Sequence, residues 1–130
     1  MTEKPVAGRG WVEESLWALG HLVNLEEHFT ESGLLDLAAR AREVRREFQS
    51  AWWISVGLQE EFYRKNWCIF KHLASLIVHL SELASWEEAP AELREASAET
   101  ASAAKQLFWL LVELGRGERG EKEEGEKKEG

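Results

Sequence analysis

The sequence predicts an all-α protein, an antiparallel up-down-up-down four-helix bundle made from a duplicated helical hairpin. Three observations carry this expectation. Ala, Leu and Glu are abundant while β-branched residues are few, which favours helix over strand. Proline occurs only at Pro5 and Pro90, so no proline interrupts the periodic stretches between them. The pattern H-L-x-x-L-x-x-H-x-x-E at His21–Glu31 recurs fifty-one residues later at His72–Glu82, with Thr30 and Ser81 as a further conservative match. Unrelated segments of that length share about one identity, so the five identical positions read as an internal duplication.

The first helix is expected from Trp11, after a flexible arm over residues 1–10. With Trp11 at heptad position a, Ala18 and Leu25 follow at a, Leu22 and Phe29 fall at e, and Glu14, His21 and His28 occupy d between those rows. Both histidines are therefore placed on the inward stripe. Gly20 inside this helix marks a close helix contact. The helix is expected to stop at Ser32-Gly33, with Gly33 as a left-handed cap.

Helix two starts at Leu34 with an apolar stripe through Leu37, Ala41, Val44, Phe48 and Trp52, and a solvated face from Arg40 to Glu47. Gly57 is the only break signal before helix three. Helix three repeats the register of helix one: Phe62, Ile69, Leu76 and Leu83 at a, and Lys65, His72, His79 and Trp86 at d. It ends before Pro90, which suits the first turn of helix four. Helix four runs from Leu93 through Ser97, Thr100 and Ala104 to Leu114, and ends at Gly115. Residues 116–130 are Gly, Glu, Lys and Arg without an apolar side chain, and are expected to be disordered. The organisation is thus an arm over 1–10, a bundle over 11–115 and a charged tail.

In such a bundle helices one and three lie diagonally across the core, so His21 meets His72 and His28 meets His79 in two layers ~10.5 Å apart. Glu31 and Glu82 stand one turn beyond the second layer. Small residues opposite (Ala38, Ala41, Ala96, Ser97, Thr100 and Ala103) leave room there. The expected site is a divalent transition metal, Zn or Fe, held by His28, His79, Glu31 and Glu82, with His21 and His72 as the second layer. The Glu-x-x-His arrangement of carboxylate-bridged di-metal bundles does not occur in the chain. Layers so close leave space for one haem at most. The competing expectation is a non-enzymatic scaffold or interaction protein in which the core histidines only fix helix register.

The aromatic residues Trp11, Trp52, Trp53, Phe62, Tyr63, Trp67, Phe108 and Trp109 are expected to gather where helices one and three begin. The run Leu107–Val112 is apolar all round its helix, which implies a partner surface. A homodimer through Trp52, Trp53, Phe108 and Trp109 is the simplest form. Glu14 and Lys65 are read as reaching outward, and Cys68 as a small buried hydrophobe.

Charge and motifs narrow the rest. The net charge of −8 argues against sequence-independent nucleic-acid binding. A single Cys excludes an intrachain disulfide. No uncharged run reaches membrane-span length, and no apolar leader follows Met1, so a cytoplasmic protein is expected. No glycine-rich phosphate loop or catalytic signature for a hydrolase or nuclease is present.

Overall fold

A computed structural model describes the backbone of residues 9–129, with side chains from Gly10 to Gly117. The described chain is helical throughout its elements: α1 Arg9–Glu31, α2 Leu35–Val56, α3 Glu60–Ala84 and α4 Ala91–Glu129. Of the expected N-terminal arm, Arg9 and Gly10 belong to α1, and the remainder lies outside the described residues.

Two glycines set the turns at either end of α2. Gly33 has φ 75° and Gly57 φ 91°, the left-handed region where a Cβ is penalised. At each, paired hydrogen bonds close the preceding helix. Leu34 N donates to Phe29 O at 2.9 Å while Gly33 N donates to Thr30 O, and Leu58 N donates to Trp53 O at 3.1 Å while Gly57 N donates to Ile54 O. This six-to-one plus five-to-two pattern satisfies carbonyls that a helix end would otherwise orphan. The chain turns fully at Gly57.

The helices pair as antiparallel hairpins, α1 with α2 and α3 with α4. Trp52 Nε1 donates to Ser15 Oγ at 2.9 Å near one end of the first hairpin, and Arg45 holds Glu26 farther along it. In the second hairpin Phe70 meets Phe108 edge-on, and Gly115 lies against Leu58 and Phe62.

The two hairpins join through α1 and α3, which are direct neighbours rather than a diagonal pair. They approach closely at Gly20, where an added Cβ would stand 2.5 Å from the Ala74 carbonyl oxygen and 2.8 Å from Val78 Cγ2. Close by, Ser75 Oγ donates to Asn24 Oδ1 at 2.9 Å. These two residues occupy equivalent positions of the sequence repeat.

The main core lies at the end where α1 and α3 begin, as the aromatic residues predict. Trp52 sits between Tyr63, Phe70 and Phe108, with ring centroids 5.5–6.4 Å apart, and Val12, Leu16, Leu58 and Val112 fill the space around them. Trp11 is the exception and stands 51% exposed.

α4 does not stop at Gly115; its backbone continues helical to Glu129. Gly115 is a packing glycine, since a Cβ there would lie 2.6 Å from Leu58 Cδ2 and 2.7 Å from the Phe62 ring. The Glu and Lys that follow are strong helix formers.

Candidate functional site

The inward face of α1 carries Val12, Leu16, Leu19, Gly20 and Asn24, and that of α3 carries Tyr63, Phe70, Leu73, Ala74, Ile77 and Val78. Both sets centre on heptad positions b, c and f. The expected a/d/e stripe is therefore rotated: its d row and, apart from the half-buried Phe62 and Leu83, its a row point outward. His21, His28, His72 and His79 are all exposed, as are Glu31 and Glu82. This corrects the placement of the histidine ladder in the core. The physical reason is the Gly20–Ala74 contact: with backbones this close, α1 and α3 leave no room between them for paired imidazoles. Desolvating four imidazoles also costs free energy unless each finds a partner, whereas the Leu, Val and Phe row beside them has no such penalty.

His21 and His72, expected level with each other, line different clefts. His21 lines a cleft of about 290 Å³ with Ile77, Ser81, Glu82 and Ser85. His72 lines a groove of about 580 Å³ with Glu27, Glu31, Arg46 and Lys71. The two clefts mirror each other through the repeat, because each sets a histidine of one copy near the glutamate that ends the other copy. Among the described residues no group of three or more His, Cys, Asp or Glu side chains is placed to hold a metal ion.

The groove beside His72 is built on an ion pair. Arg45, 8% exposed, grips Glu26 through two nitrogens and donates Nη1 to Gln49 Oε1 at 2.6 Å. Its guanidinium also lies 5.4 Å from the Trp67 ring centroid. A fork-to-fork pair with a further acceptor and an aromatic face satisfies a buried guanidinium without an outside ligand. The sequence pattern assigned Arg40–Glu47 to a solvated face, and Arg45 is its exception. Only the four-residue step from Ala41 to Arg45, on the buried side of α2, marks it.

Trp52, Trp53, Phe108 and Trp109, expected between copies, are engaged inside the chain. Trp52 and Phe108 are core residues. Trp53 stacks on Tyr63 with 12° between ring planes, and Trp109 Nε1 donates to Glu13 Oε2 at 2.6 Å. Cys68, expected to be buried, is exposed. Glu14 and Lys65 reach outward as expected.

What the outer surface offers instead is apolar. Trp11 and Leu25 on α1 stand outside, as do Ile69 and Leu76 at the equivalent a row of α3. The most exposed aliphatic side chains are on α2 and α4: Leu35 at 64%, Ile54 at 60% and Leu114 at 69%. No described helix is long and apolar enough to cross a membrane. No protein-family model, no curated protein and no solved structure matches the chain.

Proposed function

We propose that this chain is a non-enzymatic helical interaction protein, built by duplication of a helical hairpin, whose outward apolar rows are covered by another protein surface. The observation that carries the reading is the second apolar row on α1 and α3. Each central helix buries one face inside the bundle, yet each also presents large apolar side chains outward, Trp11 and Leu25 on α1, Ile69 and Leu76 on α3. Each central helix already packs against two others, its hairpin partner and the other central helix, so large apolar side chains on the side left over call for a further neighbour. Scattered exposed hydrophobes are ordinary. Leu25 and Leu76, fifty-one residues apart, are exposed at equivalent positions of the two repeats, and that recurrence is a pattern.

The duplication draws support from the same comparison. Asn24 and Ser75, fifty-one positions apart, hydrogen-bond to each other, as a local two-fold relation between α1 and α3 requires of residues near its axis.

The test is the size of the species that carries the chain in a native extract. We expect a particle larger than the 14.9 kDa chain, one that shrinks when Leu25→Glu and Leu76→Glu are introduced together. A free monomer in the extract would overturn the reading.

A further inference from the structure

The flank of α4 specifies its partner more closely than exposure alone. Leu107, Leu110 and Leu114 are 57%, 58% and 69% exposed. Their three-then-four spacing continues back along α4 through Ala103, Thr100 and Ala96 to Leu93, all exposed. The face that packs inside the bundle is a different one, through Ser97, Ala101, Ala104, Phe108 and Val112. An unbroken 3-4 alternation over three heptads is the spacing of a coiled-coil seam, about 32 Å long at 1.5 Å per residue. Ile69 and Leu76 of α3 each stand one residue before a buried one, as Ala103 and Leu107 do on α4. In an antiparallel pair that shared offset sets both rows on the same side of the hairpin, so the α3 row and the α4 seam together offer the apolar surface that a docked amphipathic helix uses.

The seam has one charged flank. Taking Leu93 as position a, the g positions are Glu92, Glu99, Gln106 and Glu113, all exposed, while the e positions include Ser97 and Ala104 inside the bundle. Two α4 seams laid antiparallel would bring Glu92 and Glu99 of one copy alongside Glu113 and Gln106 of the other. Like charges along a shared flank disfavour that pairing, and chains of net charge −8 repel each other as well.

We infer that the α3–α4 hairpin docks an amphipathic helix from a different protein, with apolar residues at a and d and Lys or Arg along the flank that meets Glu92, Glu99 and Glu113. The inference rests on the interaction reading above and narrows it to one surface and one partner chemistry.

The probe is a synthetic three-heptad peptide with Leu at a and d and Lys at e and g, labelled for fluorescence anisotropy, beside a twin with Glu at e and g. We expect the Lys peptide to bind the full chain at least about tenfold more tightly than the Glu peptide. Leu107→Glu/Leu110→Glu is expected to abolish binding. That variant makes the protein more acidic, so attraction by charge alone would strengthen binding instead. Glu92→Lys/Glu99→Lys/Glu113→Lys is expected to reverse the preference between the two peptides. All these positions are exposed on a helix, and circular dichroism checks that each variant remains folded.

Equal binding of the two peptides, or binding that survives Leu107→Glu/Leu110→Glu, overturns the inference. So does a homodimer of the free chain that dissolves in that variant, since a second copy would then own the seam. The homodimer outcome leaves the interaction reading intact. A chain that binds neither peptide and runs as a free monomer in native extract overturns both.

Discussion

The two ends of the bundle use the same kinds of helix and end up differently. At the end where α1 and α3 begin, Trp52, Phe70 and Phe108 meet across three helices and are at most 3% exposed. Hydrogen bonds to backbone carbonyls close that end as well: Gln59 N donates to Gly115 O at 3.2 Å, and the Arg116 side chain donates Nε to Val56 O at 2.7 Å. At the opposite end Leu34, Leu35 and Leu37 of the first hairpin and Trp86 and Leu93 of the second stand exposed. Leu37 and Leu93 continue the lines of the buried residues Ala41 and Ser97, so their helices present a core-facing side there with little opposite it. Apolar periodicity alone does not make a core. Side chains large enough to span the gap between elements do, and only the first end has them.

The largest effect that sharpens this contrast is truncation. Trp52→Ala removes a core ring and leaves Ser15 without its indole donor. We expect a loss of ~3–5 kcal/mol in urea-induced unfolding, whereas Leu37→Ala at the open end is expected to change stability by less than ~1 kcal/mol. Comparable losses at both sites would mean that the open end is packed in solution, and the contrast would fail.

Next in size is the joint between hairpins. Gly20→Ala drives a methyl against the Ala74 carbonyl, which belongs to a helix backbone and cannot swing aside. We expect ~1–3 kcal/mol of destabilisation from overpacking, even though Ala is the better helix former by ~1 kcal/mol. Gly115→Ala meets only the ends of Leu58 and Phe62 side chains, so a smaller loss is expected there. A Gly20→Ala protein as stable as wild type would show that α1 and α3 approach each other less closely than described.

These contrasts also explain what could be read from the sequence. Helix number and the turns at Gly33, Gly57 and before Pro90 were legible, because glycine, proline and apolar period act locally. The aromatic end was legible because its rings fall in consecutive turns of antiparallel neighbours. The phase of α1 and α3 was not. Their apolar residues occupy adjacent rows, Trp11 and Leu25 in one, Val12 and Leu19 in the next, and a period does not say which row faces in. The decision is tertiary: the row beside Gly20 lets two backbones meet. The histidines were misplaced with that phase, by about one step round the helix. Gly115 misled for a related reason, since a glycine that permits close packing and a glycine that ends a helix look alike in sequence.

A smaller, pH-dependent effect belongs to the closed end. Burial pushes the Tyr63 phenol above its ordinary value of 10.0, with Gln49, Arg45 and Arg64 pulling the other way. Below that ordinary value the phenol is neutral in folded and unfolded chains alike, and its burial carries no titration cost. As pH rises past it, the unfolded chain ionises first and binds fewer protons than the folded one. Stability is then lost with rising pH up to the raised folded value. Unfolding midpoints measured across that alkaline window should fall less steeply in Tyr63→Phe than in wild type. Parallel slopes would mean that Tyr63 is hydrated in the folded protein and that the closed end is looser than its aromatic packing implies.

The smallest expected effect tests the outer row. His21 and His72 are exposed at equivalent positions of the two repeats. Replacing an exposed side chain that fills no core and holds no helix cap changes stability by no more than ~0.5 kcal/mol. His21→Ala and His72→Ala, singly and together, should therefore unfold in urea at wild-type midpoints, and the double variant should equal the sum of the singles, because the two clefts share no residue. An inward histidine pair behaves otherwise. Truncating one imidazole would strand its partner in the core at a cost of ~1–3 kcal/mol, and the second truncation would then cost much less than the first. Strong non-additivity between His21 and His72 would thus return the histidines to the interior and reverse the assignment of inner and outer faces on both central helices. The outer apolar rows, and the partner surface drawn from them, would fall with it.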